Sequence, residues 1–413
     1  MRLAALLSPL DATARWLTIL MPALLIAGPA PGDIAASLIA VLFLGRSAIA
    51  RDWTWLHVRW VQLLLVLWGY FTLRHVLLPG MGEIARAAVW VRYPLFGAAL
   101  AFWVLPDIRT QQRLRISLIA AVAFLGLDTL YQYFMGVDIT GRLPTLNNNS
   151  LRMTGPFSAP RVGITILWLM FPAALVMLGH PARRWRVAGM ALAAIASVAV
   201  LVSGERMALL LMLMGWTASF LLLPRARLPL ALMAAVGVLA GVAMMQNNPD
   251  LKHRQVGETS HGISNFWDTV YGRMWKASAQ ITANHPLIGV GSKQFQPECR
   301  KPAYGPTDEE SLTYRCPMHP HNIYAEWAVE GGLIALGLYV ATIATWLGLA
   351  WRTRRIWWRN ALATGLLITM ALRLFPASVT PSQFVSWSAA PFWLVAGWLL
   401  AILVAAEKTS KSA

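Results

Sequence analysis

Acidic side chains are scarce in this 413-residue chain: 18 Asp and Glu stand against 35 Lys and Arg, and the charged types together make up 13%. A water-soluble domain carries about a quarter charged residues, so an ordinary soluble fold is excluded. Strand-like alternation over membrane-spanning lengths is also missing, which argues against a β-barrel. Cysteine is nearly absent, with two residues. Neither Cys-x-x-Cys, His-x₃-His nor Asp-x-Asp spacing occurs, so no metal cluster is expected. The run Asp308-Glu309-Glu310 reads as a solvated loop. A reaction without metal or cofactor is the simplest expectation. The net charge of +17 does not gather on one soluble domain. A nucleic-acid partner is therefore not expected.

What the chain does have is apolar residue, 57% of it, with 20 Trp. The apolar residues fall in runs of about 17–25, enough to cross the roughly 30 Å hydrocarbon layer as helices. About twelve spans are expected. They lie near 16–29, 33–50, 57–77, 84–105, 114–135, 160–179, 185–202, 206–223, 229–246, 321–350, 357–375 and 386–406. The chain reads as an all-α polytopic membrane protein. The first run lacks a small-residue cleavage site and reads as an uncleaved span.

Three regions follow: a first set of nine spans over residues 1–245, a long loop domain over 246–320, and three spans over 321–413. Arg46, Arg51, Arg59, Arg109, Arg113, Arg115, Arg183, Arg184, Arg186, Arg352, Arg354 and Arg355 all fall in connections on one side. The positive-inside rule puts that side, and both termini, in the cytoplasm. The 246–320 loop then lies outside. It holds eight Lys or Arg against seven Asp or Glu, so it is not a basic tail. Both cysteines, Cys299 and Cys316, lie in it, where an oxidising environment makes a disulfide plausible.

Arginines on the outer side break the topology rule and need a reason. Arg142, Arg152 and Arg161 lie in or beside the connection between the fifth and sixth spans. Arg206 opens a span, and Arg273 lies in the loop beside Lys276. Guanidinium forks pair with phosphate oxygens, which suggests an anionic ligand at the outer face. Snorkelling, or pairing with Glu205 or Asp138, is the alternative account, and for Arg206 and Arg273 the ligand reading is favoured. The stretch Asn284-His285-Pro286-Leu287-Ile288-Gly289-Val290-Gly291 reads as a rigid backbone turn rather than a phosphate loop, because no Walker-type Lys-Ser follows. His321 follows Pro320 and is placed by it in the first turn of a helix. A helix start disfavours imidazolium, which leaves a neutral ring able to accept a proton. Asn322 and Tyr324 can orient that ring or bind sugar hydroxyls. Capping and interfacial anchoring explain them equally well.

These segments, in this order, resemble the O-antigen ligase and polymerase family. The likeness is carried by Asp128-x-x-Tyr131-Gln132-Tyr133-x-x-Gly136, Arg152-Met153-Thr154-Gly155-Pro156-Phe157 and Ser203-Gly204-Glu205-Arg206. It continues through Arg273-Met274-Trp275-Lys276, then His285-Pro286-Leu287-Ile288-Gly289-Val290-Gly291 with Phe295. It ends with His321-Asn322-x-Tyr324 and Glu330-Gly331. Ser158-Ala159-Pro160-Arg161 departs from the Asn-Pro-Asn that such proteins often carry. The resemblance implies a GT-C-like glycosyltransferase of the bacterial inner membrane, with its active site facing the periplasm. It would take O-antigen glycan from undecaprenyl pyrophosphate and, as a ligase, pass it to a sugar of lipid A–core. It carries His321 over as the essential histidine and Arg206 and Arg273 as the essential arginines. Arg152 and Arg161 would hold acceptor phosphates or the same donor. A polymerase of the same family, or a non-enzymatic transporter of lipid-linked glycan, are the alternatives.

Overall fold

The computed structural model describes residues 2–78, 80, 82–147 and 150–412. Among them the only sheet is a hairpin of β1 (Thr145–Asn147) and β2 (Ser150–Arg152). The first ten helices are α1 (Arg2–Ala27), α2 (Pro29–Ala50), α3 (Arg59–Leu77), α4 (Ile84–Val89), α5 (Arg92–Ala99), α6 (Ile108–Met135), α7 (Val162–Leu178), α8 (Arg183–Val202), α9 (Arg206–Leu222) and α10 (Arg227–Asn247). Five short helices fill the long connection: α11 (Pro249–Lys252), α12 (Glu258–Ser264), α13 (Val270–Asn284), α14 (Phe295–Cys299) and α15 (Glu309–Arg315). The chain closes with α16 (Ile323–Arg352), α17 (Arg354–Trp357), α18 (Ala361–Arg373) and α19 (Ser386–Ser412).

Among the described residues, nine helices are long and apolar enough to cross a membrane, with α4 and α5 counted as one. Three shorter apolar helices, α7, α9 and α18, occupy the remaining expected runs. Seventeen residues, the length of α7 and of α9, rise only about 26 Å. The protein is therefore an all-α polytopic membrane protein. Helix α7 sits at its centre, with nearly every residue buried against α18, α8, α6 and α9.

Some expected boundaries move. The run at 84–105 is interrupted between α4 and α5, because Pro94 has no N–H for the carbonyl four residues back. The first helix begins at Arg2, ahead of the apolar run near Trp16. Helix α16 begins at Ile323 rather than at His321. Asn322 is its N-cap, its Oδ1 accepting from Tyr324 N and Ala325 N at 3.0 Å each. Local side-chain chemistry thus overrides the start suggested by Pro320.

The long connection has a core of its own, formed by Met274, Ala277, Ile281, Phe295, Tyr304 and Leu312. A disulfide joins Cys299 to Cys316 within it. Closing a loop of this size contributes about 3 kcal/mol in the chain-entropy view.

This subdomain is fastened to the bundle where α16 breaks. Gly332 has φ +72°, outside helical space. The break exposes carbonyls, and each finds a donor. Val290 N bonds Val329 O at 2.9 Å, and Gly291 N bonds Glu330 O at 3.0 Å. Tyr70 Oη donates to Gly331 O at 3.0 Å. The Arg74 guanidinium donates to Glu330 O and Ile288 O. In return Leu333 N donates to Pro286 O at 2.8 Å. The 285–291 stretch is thus a backbone strut, as its turn reading suggests. No side chain fits at the crossing: a Cβ on Gly332 would lie 2.1 Å from Leu287 O, and one on Gly289 2.4 Å from Val329 O.

Gly332→Ala is accordingly expected to lower stability by roughly 1–3 kcal/mol from backbone strain alone, and by more from the clash. Thermal unfolding in detergent measures this. A melting temperature equal to the parent's would show that the break is not held as described.

Candidate functional site

One end of the bundle gathers the polar residues. The ends of α6 and α8 meet there with the 136–161 connection. Gln132 Oε1 accepts from Thr154 N and Gly155 N at 2.9 Å each, and Gly204 O accepts from Arg254 Nε at 3.2 Å. The 374–385 connection closes over the start of α16. Tyr324 Oη donates to Leu374 O at 2.6 Å, and Asn322 Nδ2 to Pro376 O at 2.7 Å. Asn322 and Tyr324 therefore cap and anchor the helix.

Their anchoring fixes His321. It precedes the N-cap with φ +48°, a left-handed conformation that costs a non-glycine residue about 1–2 kcal/mol. Its carbonyl is held by Thr380 N at 2.9 Å. Strained residues of this kind cluster at functional sites. The imidazole stands 4.0 Å, centroid to centroid, from that of His319, and edge-on to Tyr271 at 6.1 Å. Burial depresses the pKa of His321 to about 3; the nearby His319 pushes the same way, and Glu326 opposes. Burial, helped by Arg86, takes His319 to about 4. Both rings are neutral at pH 7. Nε2 of His319 is buried with no hydrogen-bond partner among the described residues. His319, in the loop ahead of α16, thus belongs to the same cluster.

Behind the histidines lies a buried ion cluster that the sequence reading missed. Arg86 of α4 faces Glu326 at 3.6 Å and Glu330 at 3.7 Å, both on α16. It also donates to Ser382 Oγ at 3.1 Å and covers the Phe384 ring at 4.7 Å. Glu326 Oε2 accepts from Gln383 N at 3.0 Å. The available signal was spacing: two acids four residues apart in an apolar helix share one face and need a cation.

The second group is cationic. Arg206 donates through Nη1 to Glu258 O at 2.7 Å and lies 3.4 Å from its carboxylate. Arg254 pairs with the same carboxylate oxygen. Arg152 runs beside Gly204, its Cγ 3.4 Å from where a Cβ would sit, and its Nε is buried without a partner among the described residues. Burial holds the Arg254 guanidinium below its ordinary range, and the charges of Arg152 and Arg206 add to the effect. Glu205 is not the partner of Arg206. Its carboxylate accepts from Gly163 N at 2.7 Å and Ile164 N at 3.2 Å, capping α7 from outside, and burial raises its pKa to about 7.

The remaining candidates stand apart. Arg161 is sandwiched between Phe157 and Trp387, 5.1 Å from each ring, and burial lowers its pKa. Arg273 is exposed on α13, two residues beyond Tyr271, so it lies on another face from the ring that meets His321. Lys276 lies 5.7 Å from the Trp267 ring. The two polar groups are joined by the 258–271 segment. A Cβ on Gly262 would lie 4.0 Å from both Arg206 Nη1 and the Thr269 methyl, and Thr269 caps the helix that carries Tyr271. Among the described residues, no three metal-ligating side chains gather.

Residues 191–340 match the family model described as O-Antigen ligase. The matched stretch contains Arg206, Arg254, Arg273, His319 and His321. The match covers a little over a third of the chain and marks a likeness to that family over this stretch. No curated protein matches the chain. A chain from a solved structure titled "Structural coordination of polymerization and crosslinking by a peptidoglycan synthase complex" aligns over 84% of this chain and 96% of that one. Its identity of 18% and TM-score of 0.43 are too slight to carry an inference.

Two outcomes follow from this geometry. Arg86→Gln leaves two buried carboxylates without their cation and is expected to cost about 3–5 kcal/mol, part of it recovered when Glu326→Gln and Glu330→Gln are added. Unfolding of the three variants in detergent tests this, and full parental stability in R86Q refutes it. The histidines bear on pH. Their folded pKa values lie below the unfolded value near 6.5, so their contribution is complete above about pH 6.5 and is lost as pH falls toward 4 and then 3. Melting temperature should drop between pH 7 and 4.5, and less so in a His319→Asn/His321→Asn variant. Equal slopes in the two proteins would contradict the assignment.

Proposed function

We propose, taking the family match over residues 191–340 as premise, that the chain is a multi-pass glycosyltransferase of the bacterial inner membrane. In this reading it moves O-antigen glycan from undecaprenyl pyrophosphate to a sugar of lipid A–core at the periplasmic face. What supports the reading above all is a strained, neutral histidine and a cationic group at one end of the bundle, linked by the 258–271 segment. An outward-facing site cannot use cytosolic nucleotide sugars, which favours a lipid-linked donor. The distribution of Lys and Arg supports an outward position for this end.

The reaction is a single displacement with inversion and needs no metal. An acceptor hydroxyl oxygen attacks the anomeric carbon, and the bond from that carbon to the phosphate oxygen breaks. The electron pair leaves with the diphosphate. His321 takes the hydroxyl proton. Arg206 and Arg152 offset the negative charge that grows on the leaving group. Arg273 and Lys276, on α13, close on it from the loop side. Arg161, boxed by aromatic rings, binds the donor or an acceptor phosphate. A base held near pKa 3 is weak on its own. A bound diphosphate beside the ring raises that value, because a nearby anion favours imidazolium. The base is thereby strengthened when the donor is present.

The test is reconstitution of purified protein with polyprenyl-diphosphate glycan and lipid A–core in the absence of divalent metal. Glycosylated lipid A–core is the expected product. Longer polyprenyl-linked chains would assign polymerase activity instead, and glycan crossing the bilayer without any new glycosidic bond would assign transport. His321→Ala is expected to slow transfer by about 10²–10⁴-fold in folded, inserted protein. Undiminished transfer removes the base assignment.

A further inference from the structure

We infer that Glu258 is an internal stand-in for a donor phosphate, so that the diphosphate enters by exchanging with this carboxylate and gains Arg254 as a further ligand. The inference rests on the glycosyl-transfer reading for the identity of the anion, and on the following geometry for the exchange.

One oxygen, Oε2 of Glu258, is shared by two guanidiniums, those of Arg206 and Arg254. That is how a bridging phosphate oxygen is held between arginine forks. Arg152 brings a third guanidinium close enough to act on Arg254 electrostatically. The other nearby acid, Glu205, is turned to the amides of α7. Arg152 also acts electrostatically on Glu205, so Glu258 is the anion that Arg206 and Arg254 share, with a third guanidinium nearby, and a diphosphate carries more charge than one carboxylate. The partners also differ in freedom. The Arg254 side chain is only 6% exposed and is fixed to Gly204 O. Those of Glu258 and Arg206 are 25% and 28% exposed. The carboxylate is thus reachable from outside, while its deepest partner is locked.

The backbone at Glu258 is suited to movement. It follows a π-helical turn over His253–Gly257 and opens the seven-residue α12. Such turns are rare and recur at functional sites. When Arg206 turns to the anion its bond to the main-chain Glu258 O is given up as well, so the short helix loosens as the anion binds. The same segment leads to Thr269 and Tyr271, and so to the ring of His321.

The experiment measures binding of inorganic pyrophosphate and of undecaprenyl pyrophosphate to detergent-purified full-length protein, with no transfer step. Glu258→Gln keeps the size of the side chain and removes its charge. It should bind both anions roughly 10-fold more tightly, and Arg254→Gln roughly 10-fold more weakly. In the unaltered protein, hydrogen exchange of residues 253–264 should quicken when pyrophosphate binds, whereas a simple ordering contact would slow it. Unchanged or weaker binding by folded E258Q, a gain confined to the lipid, or slowed exchange at 253–264 each overturns the proposal. Should E258Q gain affinity while no glycan is ever transferred, the exchange stands and the glycosyltransferase reading falls. Should transfer proceed with no gain in E258Q, the exchange alone falls.

Discussion

The break in α16 is the constraint on which the rest depends. Inside a bilayer an opened carbonyl has no water to meet it, and each one left unpaired costs several kcal/mol. The carbonyls of Val329, Glu330 and Gly331 are therefore met by the amides of Val290 and Gly291 and by Arg74 and Tyr70. Two consequences follow. The long connection is nailed to the bundle through its 285–291 strut. The first turns of α16 form a separate short helix, Ile323 to Gly331, whose N-terminal end is capped by Asn322 and preceded by the strained His321. A continuous helix would need no strut, and the subdomain of the long connection would have no fixed position relative to the histidines.

The arginines divide by how their charge is met. Arg74 gives its donors to backbone carbonyls, Arg86 to two carboxylates, and Arg373 to Ser388 O with its face on the Trp168 ring at 3.9 Å. All three lie in spans and are structural by this measure, since their partners are supplied within the protein. Arg206, Arg254 and Arg273 differ. The first two share one partly exposed carboxylate, and the third is exposed without a partner among the described residues. Cations with deficient or exchangeable partners at a membrane surface are the ones available to a ligand, so position alone is a poor guide to function.

Much of the fold was legible because lipid imposes length. Among the described residues every expected apolar run falls on helix, nine of them long enough to cross and the one at 84–105 broken in two, since about 20 apolar residues have no other way to cross. The breaks were less legible. Pro94 and the Gly331-Gly332 pair mark interruptions, yet only the tertiary donors show that the second is a deep opening with a strut through it. His321, Arg206 and Cys299 with Cys316 stand out in sequence by type and place. Arg86 does not, because its partners lie some 240 positions away in another helix, and pairing across that distance leaves no local pattern. Arg254 was hidden for a different reason: in a loop of balanced charge, no single cation looks unusual. His319 carries no mark in the sequence, because its ring meets that of His321 across the left-handed turn at that residue, which sequence spacing does not reveal.

The two polar groups have opposite electrostatic character, and that opposition suits them to one reaction. Burial keeps the imidazoles neutral, which a proton acceptor requires and an anion clamp does not. The arginines stay charged at any physiological pH, which an anion clamp requires and a base does not. Had the two been merged, each would spoil the other, since guanidiniums next to His321 would depress its basicity further. Arg86 already does this to His319. In the proposed reading, separation along the 258–271 segment would let the cations hold a diphosphate while its negative charge acts on the ring. A proton acceptor weak in the empty site and strengthened by the bound donor would then deprotonate the acceptor hydroxyl only when there is a glycan to receive it.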